Sequence, residues 1–299
     1  MWKALLDTRY LISKARRSEI AKYDISSSRA HILFCVQVIG EEATPAKIAR
    51  YLMVEPQGIS KIVNRMVKHG LVEKHDNSGR GRRVRISLTS TGQRAVKNMA
   101  EVDGVRQKVN SIFREEELRK IKRYLKEVRN FMLKYLNEKA DSLPFESGTE
   151  VWRLIVQVNR LMLKGRKPIL AKCRVPDTQF ETLCTIHEIG ERATPTEVSR
   201  RTYRKLNTIT GIINRMEKAG LVKKIKNHNK SNSVRLIITE KGLDIYNKAE
   251  ASGISGYLLS CLSQEAKHQL LGYLERIQGY MWIWFKRNID NDSKPFAAP

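Results

Sequence analysis

A chain of 299 residues with 41% hydrophobic content is long enough for about two ordinary domains, each burying its own core. Its 56 lysines and arginines against 31 aspartates and glutamates give a formal charge of +25 and a pI near 10.0. That balance argues against a near-neutral metabolic enzyme and for a polyanionic partner, either nucleic acid or an acidic membrane surface.

The excess is shared evenly: residues 1–150 hold 30 basic and 18 acidic groups, residues 151–299 hold 26 and 13. Neither half is a mere basic tail. Asp7 and Arg9 interrupt what would have to be the apolar region of a signal peptide, and the most apolar later run, GYMWIWF, is far below the roughly 20 residues that span a bilayer. A cytoplasmic, nucleoid-associated protein is therefore expected. Cys35, Cys173, Cys184 and Cys261 form no CxxC pair, which fits reduced thiols and predicts neither a disulfide nor a metal site.

In chain order, residues 2–21 carry an apolar helical stripe and 29–39 form a short helix with Leu33, Val36 and Ile39. ATPAKIARYL then opens a third helix, with Thr44 as N-cap and Pro45 at the first helical position. A fourth helix, about 55–69, ends at Gly70, where a C-cap glycine is expected. LVEKHDNSGRGRRVRISLT follows as strand, glycine-containing turn and strand. Two long helical stretches complete the unit, 89–112 and 115–137, the second striped by Leu118, Ile121, Leu125, Val128, Met132 and Tyr135.

The whole order then recurs. IVNRMVKHGLV at 62–72 returns as IINRMEKAGLV at 212–222, and an ungapped offset of 150 superposes Trp2 on Trp152, Ala43-Thr44-Pro45 on Ala193-Thr194-Pro195, and Thr89 and Gly92 on Thr239 and Gly242. In the second copy Thr194 and Glu197 predict a full capping box. Near the end, Leu270, Leu274, Ile277, Met281 and Trp284 form an apolar face wide enough to need burial against other long helices. The expected units are residues 1–138, a linker at 139–149 containing Pro144 and Gly148, residues 150–288, and a tail at 289–299. The fold class is mainly α with small β-wings: two winged helix-turn-helix modules on a shared platform of long helices.

The helix-turn-helix ending NRMxKxGLV, the basic wing running into SLTxxG (Ser87, Leu88, Thr89, Gly92) and the flanking long helices resemble the MarR family of winged-helix transcription regulators, over about 140 residues of each copy. Such proteins are homodimers with interlocked terminal helices. The resemblance therefore implies a dimer fused into one chain: a monomer acting as an intramolecular pseudo-dimer on a pseudo-palindromic double-stranded DNA site. It further implies a small aromatic effector bound between platform and DNA-binding lobe, with Tyr10 and His31 as candidate pocket residues.

On the fourth helix Ile59, Ile62, Val63 and Met66 fall on one side and Gln57, Lys61, Asn64 and Lys68 on the other. Asn or Gln against adenine and Lys or Arg against guanine are the pairings of the major groove. Gln57, Ser60, Lys61 and Asn64 are thus candidate base readers, matched in the second copy by Asn207, Thr210 and Asn214, with Gly211 in place of the lysine. The difference predicts unequal half-sites. Arg65, Lys68, Arg215 and Lys218 suit phosphates.

In the wings, Arg80, Arg82 and Arg83, and Lys226 and Lys230, suit the minor groove. Against the family pattern of an acidic residue two positions before an arginine, Arg82 matches the arginine while Arg80 holds the acidic place; the second copy has Lys230 and Asn232 there. No catalytic motif or cofactor-binding loop is present, so an enzyme is not expected. The leading expectation is a sequence-specific transcription regulator acting by repression, against two alternatives: a sequence-tolerant architectural or replication-initiator-like DNA binder, and a protein-interaction adaptor that has lost DNA binding.

Overall fold

The computed structural model describes residues 1–76, 84–101, 104–139, 149–226 and 234–288. The first repeat comprises α1 (Trp2–Ile20), α2 (Ser27–Ile39), α3 (Pro45–Leu52), α4 (Pro56–Lys68), β1 (Val72–Asp76), β2 (Val84–Leu88), α5 (Ser90–Glu101), α6 (Gly104–Ser111) and α7 (Glu115–Tyr135). The second comprises α8 (Glu150–Lys172), α9 (Asp177–Ile189), α10 (Pro195–Arg201), α11 (Leu206–Lys218), β3 (Val222–Lys226), β4 (Val234–Ile238), α12 (Glu240–Ala251), α13 (Ile254–Tyr257) and α14 (Gln264–Asn288). No described helix is long and apolar enough to cross a membrane.

Local chemistry accounts for the boundaries. The Thr44 hydroxyl accepts the Lys47 N–H at 3.1 Å, the Thr194 hydroxyl accepts that of Glu197 at 3.1 Å, and each is followed by proline. The predicted capping box at Thr194 is only half made. The Glu197 carboxylate turns to Arg200 (2.6 Å) and Arg201 (3.1 Å), charged donors one turn away that outcompete a neutral N–H. Gly70 and Gly220 end α4 and α11 at φ +62° and +70°, a conformation costly for other residues.

The SLTxxG motif has a packing reason as well. Thr89 donates to the Gly70 carbonyl at 2.6 Å and accepts the Gly92 N–H at 3.0 Å, while a Cβ on Gly92 would overlap the Leu71 carbonyl oxygen. Thr239 and Gly242 repeat the arrangement against Gly220 and Leu221. The strands pair antiparallel, from Val72↔Leu88 to Asp76↔Val84 and from Val222↔Ile238 to Lys226↔Val234.

Three cores form. One lies inside the first helix-turn-helix lobe (Ile32, Leu33, Ile48, Val63, Met66, Ile86) and one inside the second (Phe180, Leu183, Val198, Ile213, Met216, Leu236). The third belongs to neither repeat alone: Leu5, Leu11, Ile12, Leu125 and Val128 pack with Ile155, Val158, Leu161, Leu270, Leu274 and Phe285.

This is the interlocked platform. Helix α1 packs on α14 and α8, and α7 packs on α8, so each repeat closes its partner's terminal helices. Polar ties cross the same boundary: Asn159 Nδ2 donates to the Leu5 carbonyl (3.0 Å), Gln278 Nε2 to Ala4 O (3.0 Å), Tyr124 Oη to Gln269 Oε1 (2.7 Å), and Arg276 Nη2 to Ile112 O (2.8 Å).

Two expectations change. The stretch 89–112 is not one helix but α5 and α6, with residues 102–103 outside the described set. The division lets α5 bury Val96 and Met99 in the lobe while α6 buries Val105 and Val109 in the platform, with Val105 N–H donating to Glu19 Oε1 at 3.0 Å. In the α7 stripe, Ile121, Leu125, Val128 and Met132 are fully buried, whereas Tyr135 stands 46% exposed with its ring beside Tyr257 (5.3 Å) at the platform edge.

Candidate nucleic-acid interface

Helix α4 is held by its apolar side: Ile59, Val63 and Met66 are buried and Ile62 is half-buried. Burial of side chains of this size stabilises the lobe by about 1.5–3 kcal/mol each, which fixes the rotation of the helix and hence the face it shows to solvent. That face carries Gln57, Lys61, Asn64, Arg65 and Lys68, all exposed. Ser60 is half-buried, and its hydroxyl donates to the Pro56 carbonyl at 3.1 Å, so it is already engaged within the helix.

In the second lobe Ile209, Ile212, Ile213 and Met216 are buried, and Asn207, Thr210, Asn214, Arg215 and Lys218 are exposed. Among the described residues neither Arg65 nor Arg215 has an ion-pair partner. Arg65 instead lines an open groove with Arg29, Asp24, Ser26 and Ser28 at the start of α2, and Arg29 Nη2 reaches His69 Nε2 at the end of α4 (3.3 Å). Arg29 lay outside the predicted set because nothing in the local sequence places the α2 terminus beside α4.

Two further lysines were missed. Lys74 on β1 donates its ammonium to Asn64 Oδ1, and Lys224 on β3 does the same to Asn214 Oδ1 at 2.5 Å. An ammonium only donates, so each amide oxygen faces the lysine and the amide nitrogen is left to donate elsewhere. Lys74 and Lys224 are themselves 150 positions apart, a repeat signal that could have singled them out. Of the wing residues, Arg80, Arg82, Arg83 and Lys230 lie outside the described residues; Lys226 closes β3, and its side chain also lies outside them.

The two candidate effector residues do not border one pocket. His31 lines a cavity under the first lobe with Phe34, Tyr51, Trp152 and Arg160; Tyr10 lines its pseudo-symmetric counterpart under the second, with Trp2, Glu181 and Arg204. The interlock is the cause, since α8 lies under the first lobe and α1 under the second. Glu181 Oε2 and Arg204 Nη2 pair at 2.6 Å with side chains 9% and 12% exposed, and Arg204 also donates to the Tyr10 hydroxyl.

Cys35 and Cys184 line these same cavities, and burial pushes both thiols up to about 12. Cys35 has basic neighbours that the sequence did not show, Arg153 and Arg160 from α8, but desolvation outweighs their pull.

Residues 23–83 match the MarR family, and so, independently, do residues 175–230. Two segments of this chain, one in each repeat, thus match the MarR family, as a tandem pair. Each match spans the helix-turn-helix and first wing strand of one lobe. No curated protein matches the sequence. Among solved structures it is similar to an E. coli MarR mutant complexed with operator DNA (23% identity, 42% of this chain and 91% of that one, TM-score 0.39). It is also similar to the organohalide-sensing RdhR transcriptional regulator in its 2,4-dichlorophenol-bound form (22%, 52% and 92%, TM-score 0.43) and to Staphylococcus aureus MarR in complex with salicylate and kanamycin (18%, 42% and 86%, TM-score 0.38).

Proposed function

We propose that this tandem MarR-family protein is a sequence-specific regulator of transcription that binds double-stranded DNA as a single-chain pseudo-dimer and represses by occupying a promoter. The observation that carries the reading is that both α4 and α11 bury one side in a lobe core and expose a polar, basic side beside a two-stranded wing. Residues 1–138 and 150–288 act as the two halves of a dimer, joined through 139–149, with 289–299 as a tail.

In this reading Gln57, Lys61 and Asn64 meet one half-site and Asn207, Thr210 and Asn214 the other. Arg65, Lys68, Arg215 and Lys218, with Arg29 added, contact phosphates, and the wing cations Arg80, Arg82, Arg83, Lys226 and Lys230 enter the minor groove. Unequal helices imply unequal half-sites. A small planar ligand wedged under either lobe would tilt that lobe on the platform and release the DNA.

Titrating the chain with DNA from upstream of its own gene, against a random duplex, tests the proposal. Preference for the upstream DNA and a log–log salt slope of about −0.9 per neutralised phosphate are expected. Equal affinity for both duplexes with a flat salt response would refute it.

A further inference from the structure

The two reading heads share the lysine–asparagine clamp but differ beside it. On α11, Glu217 is the sole acidic residue, whereas α4 has none and carries Val67 at the matching place. Three residues beyond Asn214, Glu217 falls on the same exposed face. Its Oε2 lies 2.7 Å from Lys224 Nζ, the ammonium that also holds Asn214. That contact keeps the Glu217 carboxyl below the usual glutamate range, so it is ionised at neutral pH. In the first head Lys74 holds Asn64 with no carboxylate partner among the described residues, and Val67 is 38% exposed.

We propose that Glu217 is a specificity-setting residue that mutes the second head: its carboxylate takes the place of a DNA phosphate on Lys224, so that the second head meets the polyanion with one effective cation fewer than its own lysines and arginines would supply. This rests on the DNA-binding reading above. The consequence for the whole chain is polarity. A single polypeptide with one strong and one muted head has a preferred orientation on its site, which two identical subunits lack. The same carboxylate also disfavours loose seating of the second head on any backbone, so its half-site must be held by base contacts.

The experiment is a salt-dependent titration of the full chain on a random-sequence duplex, comparing wild type with Glu217→Val and Val67→Glu. Freeing Lys224 makes one further phosphate contact available, so Glu217→Val should bind more tightly and steepen the log–log slope by about 0.9. Between about 50 and about 200 mM salt that difference is worth about 3.5-fold, largest at low salt. Val67→Glu should loosen binding and flatten the slope. Position 67 shows that valine is accommodated at this place in the fold, and unchanged melting of each variant confirms folding. If wild type binds with a steep slope while Glu217→Val binds equally or more weakly, the inference is overturned and the DNA-binding reading stands. If wild type itself does not bind, both fall.

Discussion

Removing Arg204 should destabilise the second half of the molecule in a manner that depends on pH. Arg204 and Glu181 form a buried ion pair at 2.6 Å, completed by the Tyr10 hydroxyl and ring from the platform helix α1. Arg204→Ala leaves the Glu181 carboxylate buried and unpaired, a change that typically costs about 3–5 kcal/mol, corresponding to a fall of about 6 °C or more in Tm. Burial already raises the Glu181 carboxyl, and Arg204 is the largest opposing influence. Without it the folded-state pKa climbs further above the unfolded value.

The folded form then holds a proton that the unfolded chain has lost, so stability present below the ordinary carboxylate range drains away as pH rises towards the folded pKa. The loss should therefore be small at and below the ordinary carboxylate range and grow as pH rises through it to neutrality. Scanning calorimetry of both proteins across that range measures it. Replacing both partners by methionine should recover most of the loss, because an apolar pair of similar volume strands no charge. Equal losses at both ends of the pH range, or a double variant no better than Arg204→Ala, would refute the reasoning.

Gly92→Ala should destabilise the first lobe by about 1–3 kcal/mol or more, because its Cβ would overlap the Leu71 carbonyl oxygen within a continuous backbone; chemical denaturation reads this directly. Met66→Ala, at a site with no exposure, should cost about 2–5 kcal/mol in the same assay. With the Cys35 thiol pushed up to about 12, the native protein should resist alkylation at neutral pH at Cys35 far longer than the unfolded protein does; rapid native labelling mapped by mass spectrometry would contradict that. Arg82→Ala should loosen DNA binding more than Asn232→Ala, since a cation is lost only in the first; equal losses in a titration would contradict unequal wings.

Much of the lobe architecture was legible in the chain itself. Thr44-Pro45 and Thr194-Pro195 begin helices, Gly70 and Gly220 end them, and the spacing of Ile59, Val63 and Met66 turns the polar face of α4 outward. These are local matters, settled within one or two turns of backbone. The 150-residue offset carried the rest, since it identified two equal modules before any packing was known. The resemblance supplied the interlock, and the core shared by Leu5, Ile155 and Leu270 realises it.

Contacts between distant segments were not legible. Lys74 and Asn64 are ten residues apart, with no period linking them across a helix–strand boundary. Arg29 meets the α4 face, Glu19 caps α6, and Tyr10 pairs with Arg204 only because tertiary packing brings separate elements together. Sequence alone determined which residues prefer helix, turn or burial, because those preferences act through neighbouring atoms. Tertiary structure alone decided which cations are neutralised, which thiols are silenced and which lobe each cavity serves, because charge and desolvation act through space between groups the chain holds far apart.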